Sequence, residues 1–224
     1  HTHSMGLPGR LLARAGEPFI RLGAYLALQT LGQKFVLGET IEEALDHSAA
    51  RMVQGYRFSY DMLGEAALTL QDALRYTASY EHAIHAVGKA AAGLGESALI
   101  RRPSISVKLS ALHPRFEQGQ RERVLAELAP RLASLCRLAQ RFGIGLTVDA
   151  EESHRLELTL DVMEALAREP EFANYEGLGF AVQAYSKRAP LVIDWIAALA
   201  RETDHRFLVR LVKGEYWDAE IKRA

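Results

Sequence analysis

The chain alternates between two rhythms of apolar and polar positions. Short runs in which apolar residues recur at every second place lie at 58–63, 104–110, 145–151, 177–185 and 206–214. Between them, 70–91, 121–142, 152–168 and 190–202 carry apolar residues at helical spacing. The first period marks a strand with two distinct faces, the second a helix with one apolar stripe. The predicted order is β-α-β-α-β-α-β-α-β, which favours a parallel sheet with right-handed crossovers. Ahead of it, 10–31 shows helical spacing interrupted by Gly16 and Pro18. Thr40 and Glu43 then form a capping box opening a helix to about residue 54. The expected organisation is an N-terminal helical arm (1–57) and a β/α domain (58–224). Pro190 suits a first helical turn, whereas Pro130 lies within a helical stretch and is expected to split or kink it. Leu125, Leu128, Leu132, Leu135 and Leu138 supply that helix with the stripe that faces the sheet.

Splitting each strand into its two faces exposes a pattern. One face is apolar throughout: Tyr60; Ile105, Val107 and Leu109; Leu146 and Val148; Leu178, Phe180 and Val182; Phe207, Val209 and Leu211. The opposite face carries one strong polar group toward each C-terminal end: Asp61, Lys108, Asp149, Gln183 and Arg210. An open doubly wound sheet is covered by helices on both faces and reads as near-continuous apolar runs. Polar groups on a single face instead suit a closed (β/α) barrel, where they line the C-terminal mouth that holds barrel active sites. Five such groups are costly to bury without a ligand or one another. The competing interpretation is structural, with Lys108 and Arg210 neutralising Asp61 and Asp149 as ion pairs.

Composition narrows the function classes. The 224 residues hold 27 Lys and Arg against 28 Asp and Glu, a net charge of -1, so nucleic-acid binding by this segment is not expected. A single cysteine, Cys136, forms no internal disulfide, suits a reducing compartment, and reads as a small buried hydrophobe. No apolar run reaches transmembrane length, and residues 1–6 carry no signal-peptide pattern. His82 and His85 stand three apart on a helix without a third ligand, so no metal is expected. His113 and His154 follow the second and third strands, toward the mouth. Arg101 and Arg102 read as a solvated pair. The glycine-containing stretch 88–97 precedes a strand, whereas a phosphate loop follows one.

Longer motifs carry a resemblance. ISVKLSALHPR (105–115), VDAEESHRLE (148–157) and RLVKGEYWDAEIKRA (210–224) resemble the proline dehydrogenase domain of the bifunctional proline-utilisation flavoenzymes, as do YDMLGEAALT (60–69) and GFAVQAYSKR (179–188). The likeness runs in one order from about residue 9 to the end. It implies an α/β fold, the TIM-like (β/α)8 barrel of proline dehydrogenase type, preceded by N-terminal helices, with FAD at its C-terminal mouth. It also implies oxidation of L-proline to Δ1-pyrroline-5-carboxylate, with electrons passed to membrane quinone. By this resemblance Lys108 helps bind the substrate carboxylate and Tyr216 packs on the substrate ring. Asp149 and Ala150 lie beside substrate and flavin, and Gln183 hydrogen-bonds the flavin ring. Arg210, Val212, Lys213, Gly214, Tyr216 and Trp217 wrap the cofactor. Glu65 matches a carboxylate that pairs with a substrate-site arginine, and Asp61 lies one turn before it.

The resemblance further implies a fused or coupled pyrroline-5-carboxylate dehydrogenase domain. It implies a bacterial cytoplasmic location with peripheral contact at the inner membrane. The polar strand-end residues define only five β/α units, whereas a closed barrel needs eight, roughly 90 further residues. The chain is therefore expected to be a fragment of the barrel, incomplete at its C-terminus. Two alternatives stay open at this point: a Schiff-base lyase barrel using Lys108 as nucleophile, and a non-catalytic fragment that needs a complementing chain.

Overall fold

The computed structural model describes residues 36–93 and 99–223. The predicted helix over 10–31 and part of the glycine-containing stretch lie outside them. The chain divides into two units between Ala50 and Arg51. Helix α1 (Ile41–Val53) runs across that division. Its start is capped as its sequence predicts, the Glu43 amide donating to Thr40 Oγ1 at 3.2 Å. The Glu43 carboxylate reaches back one residue further than expected, to the amide of Glu39 at 2.9 Å.

The second unit contains five strands: β1 (Ser59–Asp61), β2 (Ser104–Val107), β3 (Gly145–Val148), β4 (Leu178–Gln183) and β5 (Leu208–Val212). They form one sheet in the order β1-β2-β3-β4-β5, every pair parallel. An order that never reverses is that of a barrel wall, since a doubly wound sheet switches direction at its middle. In a flat sheet β5 would lie about 19 Å from β1, four intervals of ~4.8 Å. Yet the Arg210 guanidinium on β5 reaches Ser106 Oγ of β2 at 2.9 Å and Ser59 Oγ of β1 at 3.4 Å. The sheet is therefore curled into a half-barrel, with Arg210 spanning its concave side. Gly179 and Ala181 are the small inward residues of β4, so nothing bulky stands in the path.

The strands are shorter than their alternation predicts. Lys108 and Asp149 stand one residue beyond β2 and β3, and Leu109–Leu112 turns at once into a short helix, α3. The connecting helices are α2 (Leu70–Ala92), α4 (Arg121–Phe142), α5 (Leu156–Ala167) and α6 (Ala189–Thr203), followed by α7 (Trp217–Arg223). Helix α2 starts in a complete capping box between Thr69 and Asp72. Helix α4 ends on Gly143, whose φ of 61° is the left-handed conformation glycine adopts freely. Pro130 does not split α4. It lies on the exposed side, where the carbonyl it leaves unpaired can bond water.

Leu128, Leu132, Leu135 and Leu138 are buried as predicted, with Val124 rather than Leu125 completing the stripe. Cys136 is buried among them, and burial pushes its thiol pKa up, as expected of a packing residue. Arg102 is not a solvated residue. Its Nη2 donates to the Ala91 carbonyl at 3.2 Å and the Phe142 carbonyl at 3.4 Å, tying the ends of α2 and α4 together. Gly88 lets those helices meet, because a Cβ there would lie 2.3 Å from the Phe142 ring.

The apolar outer faces of β2, β3 and β4 are buried. That of β5 is not. Val209 is 50% exposed and Leu211 60%, and no described helix covers them. The packed face expected of the fifth strand is thus bare among the described residues. Alternation assigns a residue to a face, but burial needs a neighbouring layer.

Candidate active site

Four of the five predicted strand-end groups meet on the concave side. Lys108 Nζ donates to both carboxylate oxygens of Asp61, at 3.1 and 3.0 Å, and to Asp149 Oδ2 at 3.0 Å. The other Asp149 oxygen accepts from Arg210 Nη2. The chain Asp61–Lys108–Asp149–Arg210 thus links β1, β2, β3 and β5, with Ser59 and Ser106 accepting at the far end of the guanidinium.

Burial is graded along this chain. Asp149 and Lys108 side chains are 3% and 10% exposed, while Asp61 and Arg210 are 46% and 38% exposed. Burial works against the Lys108 ammonium, but Asp149 and then Asp61 outweigh it and hold its pKa above the ordinary lysine value. Burial raises the Asp61 carboxyl in spite of Lys108 beside it. Glu215 feels the same four charges from the edge of the cluster, and burial raises its carboxyl too. A lysine so paired keeps its proton, the opposite of what a Schiff-base nucleophile requires.

Gln183 does not join the four. Its Nε2 donates to the Glu151 carbonyl at 2.7 Å, and its Oε1 accepts from the Glu215 amide at 3.3 Å. It pins the segment after β5 to the end of β3. Tyr216 stands on that segment and donates to Glu65 Oε2 at 2.9 Å. Burial and the Glu65 carboxylate both raise the phenol pKa. Among the described residues, Glu65 therefore meets a tyrosine where the resemblance implies an arginine. Trp217 lies edge-on to Tyr185, ring centroids 5.3 Å apart. Gly214 has a φ of 143°, and a Cβ there would strike the Tyr185 ring at 2.1 Å, so Tyr185 already fills the room that its missing side chain leaves. Val212 is half-buried and Lys213 exposed.

A narrow cavity of about 50 Å³ opens beside Ala150, Gln183 and Tyr185. A larger one, about 270 Å³, lies under residues 66–68 and is lined by Ser110, His113 and His154 among others. His113 is buried. Its Nδ1 accepts from the Arg115 amide at 3.1 Å, so its Nε2 carries the proton shared with Glu127 at 3.1 Å, a positioning of the loop rather than a free base. Among the described residues no group of three or more His, Cys, Asp or Glu is placed to hold a metal, and no helix is long and apolar enough to cross a membrane.

Two groups escaped the sequence reading. Ser106 shares a face with Lys108, and Glu151 shares one with Asp149, so the alternation held the signal for both. What it could not supply was the partner. Glu151 Oε1 accepts from the Ser110 amide, and its Oε2 from Arg155 Nη1, each at 3.0 Å.

One buried donor stays unmatched in this cluster: Arg210 Nε has no hydrogen-bond partner. The Arg210 guanidinium and the Lys108 ammonium bring two cations to one cluster of strand ends, charges suited to an anionic ligand.

The chain is 54% identical over 215 residues to "Bifunctional protein PutA" of Escherichia coli K12, covering 96% of this chain and 16% of that protein. It also resembles the crystal structure of a Bradyrhizobium japonicum proline utilization A (PutA) mutant, with a TM-score of 0.79 and 52% identity over 96% of this chain and 22% of that one. PutA from Bdellovibrio bacteriovorus, inactivated by N-propargylglycine, superposes with a TM-score of 0.85 at 30% identity, over 92% of this chain and 22% of that one. The chain thus spans about a sixth of the length of that curated relative. The sequence pattern of the family described as "Proline dehydrogenase" matches residues 44–224, and the chain belongs to that family.

Proposed function

We propose that this chain forms the FAD- and proline-binding wall of a flavin-dependent proline dehydrogenase, in a longer bifunctional protein that also carries a pyrroline-5-carboxylate dehydrogenase. The reaction is oxidation of L-proline to Δ1-pyrroline-5-carboxylate, with quinone as final acceptor at the membrane surface. The observation that carries this reading is the convergence of Asp61, Lys108, Asp149 and Arg210 from four strand ends of a half-barrel in this family.

The residues fit FAD in chemistry. Arg210 brings a fixed positive charge, and Gln183 an amide. Val212, Lys213 and Gly214 offer backbone, Trp217 an exposed aromatic face, and Ala150 a small side chain beside Asp149. FAD, when bound, supplies the electron sink for a hydride from proline. The chain's own groups bind and orient. Arg210, held by Asp149 and both serines, would hold a fixed positive charge beside the bound ring without reorganising.

Lys108 has its three N–H groups committed to two aspartates. Asp61 is the exposed partner and the one whose carboxyl burial makes easier to protonate. A substrate carboxylate therefore displaces Asp61 from Lys108 and leaves Asp149 in place. Glu65 holds the Tyr216 phenol, whose ring would pack on the substrate.

The test uses the full-length protein. Anaerobic L-proline bleaches the spectrum of its bound FAD, and Lys108→Ala weakens proline binding by at least about tenfold while FAD content stays at the wild-type level. Equal loss of both ligands removes Lys108 from the substrate side. A flavin that proline does not reduce removes the activity.

A further inference from the structure

The loop that carries Glu65 does not hold its own shape. Gly64 has a φ of 149° and Ala66 one of 51°, the latter in the left-handed region that an alanine enters only under constraint. Both constraining hydrogen bonds come from one residue. The Ala66 amide donates to Ser110 Oγ at 3.0 Å, and the Ala67 amide to the Ser110 carbonyl at 2.9 Å. Ser110 is itself immobilised: it is 2% exposed, and its own amide donates to Glu151. Glu151 is in turn gripped by Arg155, and its main-chain carbonyl accepts from Gln183. The loop after β1 is thus set by a residue on α3, after β2, which is set by one after β3.

From this we infer that Ser110 is a positioning residue for substrate binding, acting through Glu65 and Tyr216; the inference rests on the proline-oxidation reading above. The Ser110 hydroxyl holds Ala66 left-handed, and this aims Glu65 at the Tyr216 phenol. Without that bond the loop relaxes, and substrate must order it on binding. The cost falls on KM. Once substrate is bound the loop is ordered again, so kcat is spared.

Ser110→Ala in the full-length holoenzyme tests this, with Ser110→Cys alongside, since a thiol fills the hydroxyl's place with a somewhat larger atom that accepts only weakly. The expected result is hydrogen exchange in peptide 62–69 faster by about tenfold and KM for L-proline raised about tenfold, with kcat within about twofold and FAD content unchanged. Ser110→Cys falls between the two proteins. Unchanged KM overturns the inference, as does a rise in KM accompanied by a fall of both kcat and FAD content, which would mark a merely structural residue. A wild-type holoenzyme that does not oxidise proline fails the activity reading instead. Faster exchange at 62–69 in Ser110→Ala then still supports the clamp, and unchanged exchange removes it.

Discussion

Strands β3 and β5 have the same design and different fates. Each alternates apolar outward residues with an inward face that ends in a charge, Asp149 after β3 and Arg210 on β5. In β3 every residue is buried, and the Asp149 side chain is 3% exposed. In β5, Val209 and Leu211 are half or more exposed, and Arg210 is half-buried. The difference is cover. The outer face of β3 is packed beneath helices, whereas β5 is an edge whose outer face is left largely exposed. The same pattern therefore yields a packed layer in one place and an exposed apolar edge in the other.

The largest expected effect comes from breaking the charged link at its buried end. Asp149→Ala removes the carboxylate that Lys108 and Arg210 share, and it should lower unfolding free energy by about 3–5 kcal/mol in urea titration. Arg210→Ala should cost only about 1 kcal/mol, because its partner retains Lys108 and the guanidinium is partly solvated. Equal losses would show that the two ends are not graded by burial.

Packing sharpens the contrast next. Leu146→Ala, at a fully buried site of β3, should cost about 2–5 kcal/mol, and Leu211→Ala within about 0.5 kcal/mol in this 224-residue chain. In the full-length protein, the Leu211→Ala cost should rise toward the Leu146→Ala value if further β/α units cover β5. A small cost in both would mean that the β5 face stays bare.

The smallest effect is pH-dependent and belongs to Lys108. The folded-state pKa of Lys108 is raised, so its contribution is fully present below the ordinary lysine value of 10.5 and is lost as pH rises through the higher folded value. Urea stability of the wild type should fall above about pH 10.5 more steeply than that of Lys108→Met. Parallel profiles would show that the ammonium contributes nothing specific.

Much of this was legible in the sequence. Period-two runs separated by helical segments specified five parallel strands, and the face alternation singled out Asp61, Lys108, Asp149 and Arg210 as a group. These signals are local, since side-chain direction along a strand follows from backbone geometry alone. Motif resemblance led to the family that the comparisons support. Pro130 was misleading because a proline breaks a helix only where its lost hydrogen bond cannot be replaced by water. Arg102 was misleading because its partners are the ends of two helices far away in sequence.

What the sequence determined by itself is therefore the direction of each side chain, the order of the elements and the chemistry available at the strand ends. The tertiary structure alone decided which of those groups meet. Curling the sheet brings Arg210 across to Ser106 and Asp149, turns Gln183 away toward Glu151 and Glu215, and sets Ser110 beneath the Glu65 loop. Those pairings join residues tens of positions apart, and they depend on how closely strands and loops approach in space. No periodicity along one chain encodes that distance.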